Sequence, residues 1–176
     1  MTSYTLENLF PVPLYCGDVT NFDNIQSEIQ VGIENTDFRF KEEWGNTHEF
    51  SDPTFEENFL EKHNCHSFLN ELETHLDRYI HSQLPMKGAW ATRFRKNMYG
   101  HIHDHFPHSV SGVYYFKTTG SDGKLFFQSD LRYYGRQYIT PKEGMLLLFP
   151  GSLKHGITTN TTDTDRISIS FDLGYE

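Results

Sequence analysis

Two periods divide the hydrophobic positions of the chain. Between residues 64 and 84, apolar groups recur at Cys65, Phe68, Leu69, Leu72, Leu76, Tyr79 and Ile80, the spacing of a helix packed on one side. Pro85 ends it. Phe22, Ile25, Ile29 and Ile33 repeat that spacing and predict a shorter amphipathic helix over 22–35. Asp52-Pro53 has the form of an N-cap followed by proline at the first helical position, with Glu56 and Glu57 suited to the positive end of the dipole. After Gly88 the period shortens to two, and β-prone runs cover 90–99, 110–117, 125–128, 133–138, 145–149 and 166–173. Residues 118–123 are a hairpin turn by composition. The apolar run at 9–15 carries Pro11 and Pro13, which bar a central strand and predict an edge strand. Residues 36–50 have no period and read as a long loop, either a lid or a plain surface connection.

A helical front followed by many short strands predicts an α+β, mainly β fold, with the strands in a sandwich or barrel. Aromatic residues make up 15% of the chain, with 15 Phe and 10 Tyr, which favours β structure and large buried areas. No repeat or linker divides the 176 residues. One domain over 1–176 is expected, with an N-terminal strand and supporting helices in 1–87 and the β core in 88–176. The net charge of −9 provides no basic field for a nucleic acid backbone, and Arg93, Arg95 and Lys96 read as a solvated strand face. Cys16 and Cys65 stand far apart in no metal-binding spacing and are expected to be free thiols. The N-terminus lacks a basic region followed by an apolar core, and no apolar run approaches the length of a membrane span. A cytoplasmic protein with no membrane contact is expected.

The candidate chemistry lies at 101–108, His-Ile-His-Asp-His-Phe-Pro-His. On an extended strand His101, His103 and His105 share one face, while Ile102 and Asp104 take the other. Imidazole is the commonest protein ligand for transition metals, so a His-x-His pair is half of a metal site. His155, 50 positions after His105, is the candidate third ligand. Such a set leaves one side of an octahedral metal open. Arg166 follows 11 positions later, and its guanidinium can clamp a carboxylate at a fixed distance from the metal; Ser168 shares its face and could add a hydroxyl. The plainer readings are a supporting or surface role for His101, an exposed turn at His108, and an ion pair of Arg166 with Asp163 or Asp165. Trp90 and Tyr99 belong either to the core or to the wall of a cosubstrate pocket. His63, His66, His75 and His81 are ordinary helix histidines.

These residues resemble the Fe(II)/2-oxoglutarate-dependent oxygenases, and among them a small bacterial and phage group with a His-x-His…His…Arg motif. The likeness is carried by Trp90, His103-Asp-His105, the segments 111–115, 130–132 and 148–155, and Arg166-Ile-Ser-Ile-Ser-Phe171, with the 9–15 run also similar. The resemblance implies a double-stranded β-helix, a jelly-roll or cupin-like barrel with the N-terminal helices packed on one sheet. It implies Fe(II) held by His103, His105 and His155, and 2-oxoglutarate held by Arg166 with Ser168 and Tyr115. It further implies oxidative decarboxylation of 2-oxoglutarate to succinate, with O2, coupled to hydroxylation of a primary substrate such as a protein prolyl residue. The departure is His105, where the superfamily usually has Asp or Glu, so Asp104 stays open as the second ligand. Three neutral imidazoles leave the site one unit more positive than the usual set unless something nearby compensates. A metal-binding cupin without 2-oxoglutarate chemistry is the alternative on a related barrel, although its expected glutamate is missing and it has no need of Arg166. A non-catalytic barrel with incidental histidines would bind neither Fe(II) nor 2-oxoglutarate.

Overall fold

The computed structural model describes residues 11–129 and 135–175. In chain order the elements are β1 (Tyr15–Asp18), α1 (Phe22–Glu34), β2 (Arg39–Phe40), a 3-10 turn (Glu42–Trp44), β3 (Glu49–Phe50), α2 (Phe59–Lys62), α3 (His66–Ile80), β4 (Met86–Phe94), β5 (Gly100–His103), β6 (Val110–Lys117), β7 (Leu125–Gln128), β8 (Arg136–Ile139), β9 (Met145–Pro150), β10 (His155–Ile157) and β11 (Arg166–Leu173). They form two antiparallel sheets, β1-β9-β6-β11-β4-β3-β2 and β5-β10-β7-β8. This is the double-stranded β-helix arrangement expected, mainly β with helices on one sheet.

The period of two in the central strands sorts their side chains between two buried layers. On β11, Ile167, Ile169, Phe171 and Leu173 join Ile25, Ile29, Phe68, Leu72 and Leu76 in the core beneath the helices. Arg166, Ser168 and Asp172, on the opposite face, are also buried. Strands β6 and β9 divide in the same way: Tyr114, Phe116, Leu146 and Leu148 face the helices. Val113, Tyr115, Leu147 and Phe149 form a second cluster with Leu125 and Phe127 between the sheets. A buried polar row on β11 therefore belongs to the interior of the barrel, where it needs partners or a ligand.

Several local expectations change. Asp52 does cap backbone, with its carboxylate accepting from the amides of Thr54, Glu56 and Glu57 at 2.8–2.9 Å, but the segment is a turn. The short helix begins later and is capped by Asn58, because the Asp52 carboxylate can satisfy those amides without a helix behind it. The long helix ends at His81, which adopts the left-handed conformation (φ 53°), before Pro85 is reached. Strand β4 starts at Met86 and stops at Phe94, where Arg95–Met98 forms a turn. The 36–50 loop contributes two short strands to the sheet edge. Strand β1 begins at Tyr15, past the prolines, and does lie at a sheet edge. Leu9 and Phe10, segment 130–132 and the first part of the 133–138 run lie outside the described residues. The cysteines are free, and no described helix is long and apolar enough to cross a membrane.

Candidate active site

Strand pairing brings the histidines together. His103 ends β5 and lies opposite His155 on β10, with ring centroids 4.5 Å apart. His105 lies beyond the end of β5, so alternation along the strand does not by itself aim it. Its amide donates to the carbonyl of Gly151 at 2.7 Å, and the Gly151 amide donates to Ser109 at 3.2 Å. A Cβ at residue 151 would stand 2.2 Å from the His108 carbonyl oxygen, so only glycine permits this approach. The His105 ring then stacks on His155, centroids 5.1 Å apart, and on Trp90 at 5.7 Å.

One nitrogen from each of His103, His105 and His155 lies within 4.8 Å of the others, the one such group of His, Cys, Asp or Glu among the described residues. In all three rings the opposite nitrogen is occupied. Nδ1–H of His103 donates to the His101 carbonyl at 2.9 Å, that of His155 to the Leu153 carbonyl at 2.8 Å, and that of His105 to Asp172 at 2.9 Å. These bonds fix the tautomers, leaving three Nε2 lone pairs free to hold a metal. Burial, then the neighbouring His103 and His105, holds His155 down to about 3. Burial foremost also lowers His103. Both therefore stay in the neutral form that ligates metal. Asp104 is outside the group; its carboxylate accepts from the amide of Phe106 at 3.2 Å.

The same cavity, about 330 Å³, reaches Arg166. That guanidinium is fully buried, and among the described residues none of its three nitrogens has a hydrogen-bond partner. Its carbon lies 5.1 Å from the Tyr115 ring and 5.2 Å from Phe94. The Tyr115 hydroxyl is also buried and unpartnered: it is near enough to influence the arginine's charge, but no well-aligned hydrogen bond joins the two. Ser168 stands beside them, its hydroxyl 3.0 Å from that of Thr92. Burial works against the charged guanidinium, so the cavity calls for an anion. Among the described residues Arg166 pairs with neither Asp163 nor Asp165, because its guanidinium is buried inside the barrel while Asp163 binds Lys96 at 2.8 Å.

Other assignments shift. His101 is exposed and its Nε2 donates to the Trp44 carbonyl at 3.2 Å. His108 is only half-exposed, with its Nδ1 buried, because its turn folds back onto β9. Tyr99 is 40% exposed, neither core nor cavity wall. Trp90 does line the cavity. Arg93 and Arg95 are not simply solvated, since both pair with the buried Glu49, at 2.6 and 3.1 Å. His75 is buried and bonded to the Tyr15 hydroxyl at 2.8 Å, a structural role.

Four contributors went unnoticed in sequence. Trp44 packs on His103 at 5.1 Å, and Phe55 on Trp90 at 5.0 Å. Phe55 has φ 58°, an uncommon conformation for so bulky a residue. His48 stacks on Phe94 at 4.5 Å; burial first, then His103, lowers it to about 3. Asp172 backs His105. Trp44 and His48 come from the 36–50 stretch without a period, so no face could be assigned to them, and Phe55 falls in the segment read as a helix start, which is a turn. Asp172 could have been found, because it shares the parity of Arg166 and Ser168.

Three converging imidazoles and an interior arginine without a hydrogen-bond partner among the described residues form a set that can take a metal and an anion together. Residues 88–172 match the model of the family described as "Putative 2OG-Fe(II) oxygenase". Similar folds include HygX from Streptomyces hygroscopicus with nickel and 2-oxoglutarate bound (11% identity, 93% of this chain and 83% of that chain, TM-score 0.71). A Pseudomonas putida prolyl-4-hydroxylase is similar as well (11% identity, 93% and 94%, TM-score 0.66), as is AviO1 from Streptomyces viridochromogenes (10% identity, 93% and 90%, TM-score 0.70). No curated protein matches the chain by sequence. The barrel segment 88–172 thus carries the match to the 2-oxoglutarate- and Fe(II)-dependent oxygenases, a family whose cofactor and cosubstrate are Fe(II) and 2-oxoglutarate.

Proposed function

We propose that the protein couples oxidative decarboxylation of 2-oxoglutarate to hydroxylation of a second substrate. In this reading His103, His105 and His155 hold Fe(II) through their Nε2 atoms. Arg166 receives the far carboxylate of 2-oxoglutarate, with Tyr115 donating its hydroxyl and Ser168 alongside. The observation that carries the reading is the buried guanidinium with no hydrogen-bond partner among the described residues, in the same cavity as the three imidazoles. An arginine so placed costs stability unless an anion occupies the site. When bound, the metal supplies activation of O2. The chain supplies the rest: a fixed carboxylate anchor, three oriented lone pairs, and apolar walls that keep water from the reacting groups.

The cavity lies at the low end of ligand-pocket volumes, and the cosubstrate takes part of it. The oxidised group is therefore small, or the tip of something larger that stays outside. A protein side chain such as a prolyl ring fits this description, with Trp44, Phe55 and Trp90 as apolar walls; the fold similarity to a prolyl-4-hydroxylase supports the same reading. We take residues 1–87 to support the barrel of 88–176 as one catalytic unit. The free thiols agree with a cytoplasmic setting. The test is succinate formation from 2-oxoglutarate, with Fe(II), across proline-containing peptides. Peptide-stimulated succinate with a product 16 Da heavier is expected. Stimulation by small metabolites alone would overturn the peptide assignment, and no succinate under any condition would overturn the reaction.

A further inference from the structure

We propose that Asp172 is a positioning residue of the metal site, holding behind His105 the negative charge that the usual two-histidine, one-carboxylate set keeps in contact with the metal. The proposal rests on the reading of the three histidines as ligands. Their neutral rings alone would leave the centre one unit more positive than the usual set. The structure places one carboxylate against this group. Asp172 is 5% exposed. Its Oδ2 accepts Nδ1–H of His105 at 2.9 Å, and its Oδ1 accepts the Ser111 hydroxyl at 2.5 Å. Its basic neighbours within 4 Å among the described residues are His105 and, at 3.9 Å, His108.

The three rings are not backed alike. His103 and His155 donate to neutral backbone carbonyls. His105 alone donates to a carboxylate, and His105 stands where the superfamily usually has the carboxylate ligand. The charge has thus moved outward by the width of one ring along the same line. A charge-assisted bond of this kind strengthens the imidazole as a donor to metal and fixes its plane. The register secures it: Asp172 pairs with Ser111 across β11 and β6, six positions beyond Arg166 on the inward face. One strand thereby carries the anchor for the cosubstrate and the counter-charge for the metal.

The test is Ni(II) binding by calorimetry and the Fe(III)/Fe(II) midpoint potential, in wild type, Asp172→Asn and Asp172→Glu. Asparagine can still accept from the ring but carries no charge. We expect Asp172→Asn to bind Ni(II) roughly 10- to 100-fold more weakly and to shift the potential upward. Asp172→Glu, which keeps the charge, should recover most of the affinity. Wild-type affinity and potential in a folded Asp172→Asn protein would overturn the proposal. Should that variant not fold, Asp172→Ser and Asp172→Ala take its place, each removing the charge, and wild-type Ni(II) affinity in whichever folds would overturn the proposal equally. A wild-type protein that binds no Ni(II) would sink the ligand assignment and this proposal with it.

Discussion

His103 and His155 face each other across the antiparallel pair β5–β10, their ring centroids 4.5 Å apart. Register decides whether such a pair forms, because a one-residue slip would turn one ring to the opposite face. The third ring, His105, is held by backbone contact with Gly151 instead. The cluster therefore joins one imidazole pair set by sheet register to a third imidazole set by a loop.

Substitutions should divide the histidine-rich segment. His103→Ala, His105→Ala and His155→Ala are each expected to remove stoichiometric Ni(II) or Fe(II) binding. Asp104→Ala should leave it within a few-fold of wild type, because that carboxylate serves the Phe106 amide. Calorimetry on the four variants checks this, and loss of binding in Asp104→Ala alone would reverse the ligand assignment.

Arg166→Met should separate stability from cosubstrate binding. Removing a buried, unpartnered charge is expected to stabilise the ligand-free protein by on the order of 1 kcal/mol, while 2-oxoglutarate no longer raises the thermal midpoint. Wild type should show that rise. A variant that melts lower yet is still stabilised by 2-oxoglutarate would mean that the carboxylate binds elsewhere.

His48 gives the metal-free protein a pH dependence. Burial, with His103 next, lowers it to about 3, whereas in the unfolded chain it titrates near 6.5. Between those values the unfolded state binds more protons, so stability is full above pH about 6.5 and declines below it, by at most about 1.4 kcal/mol per pH unit from this group. His155 adds in the same direction. Denaturant titrations at pH 7.5 and 5 should show a smaller loss in His48→Phe, which keeps the stack on Phe94, than in wild type.

Gly151→Ala tests the loop that sets His105. The added methyl would collide with the His108 carbonyl, and relief requires residues 105–109 to move. A loss of about 1–3 kcal/mol is expected, together with weaker metal binding. Unchanged metal affinity would show that the Gly151 contact does not aim the ring.

Much of this was legible in sequence because it rests on periodicity. Strand β11 alternates so regularly that Arg166 and Ser168 could be assigned one face, and the apolar spacing of 64–84 gave α3 to within a few residues. The grouping of His103, His105 and His155 followed from ligand chemistry and spacing, although for His105 the expected mechanism, strand alternation, is replaced by a loop contact. Trp44, His48 and Phe55 were not legible. Trp44 and His48 lie where no period exists and Phe55 in a segment read as a helix start, and tertiary contact alone brings all three to the cavity. Asp52 misled because its carboxylate caps a turn as readily as a helix. The contact of Asp172 with His105 was hidden by distance: 67 residues separate the two.

The most direct test is anaerobic titration of the metal-free protein with Fe(II) and then 2-oxoglutarate, following the weak visible charge-transfer band of the chelate in wild type and Arg166→Ala. A saturable band in wild type, with much weaker cosubstrate affinity in Arg166→Ala, is the predicted result. No band in wild type, or an identical titration in both proteins, would contradict the account.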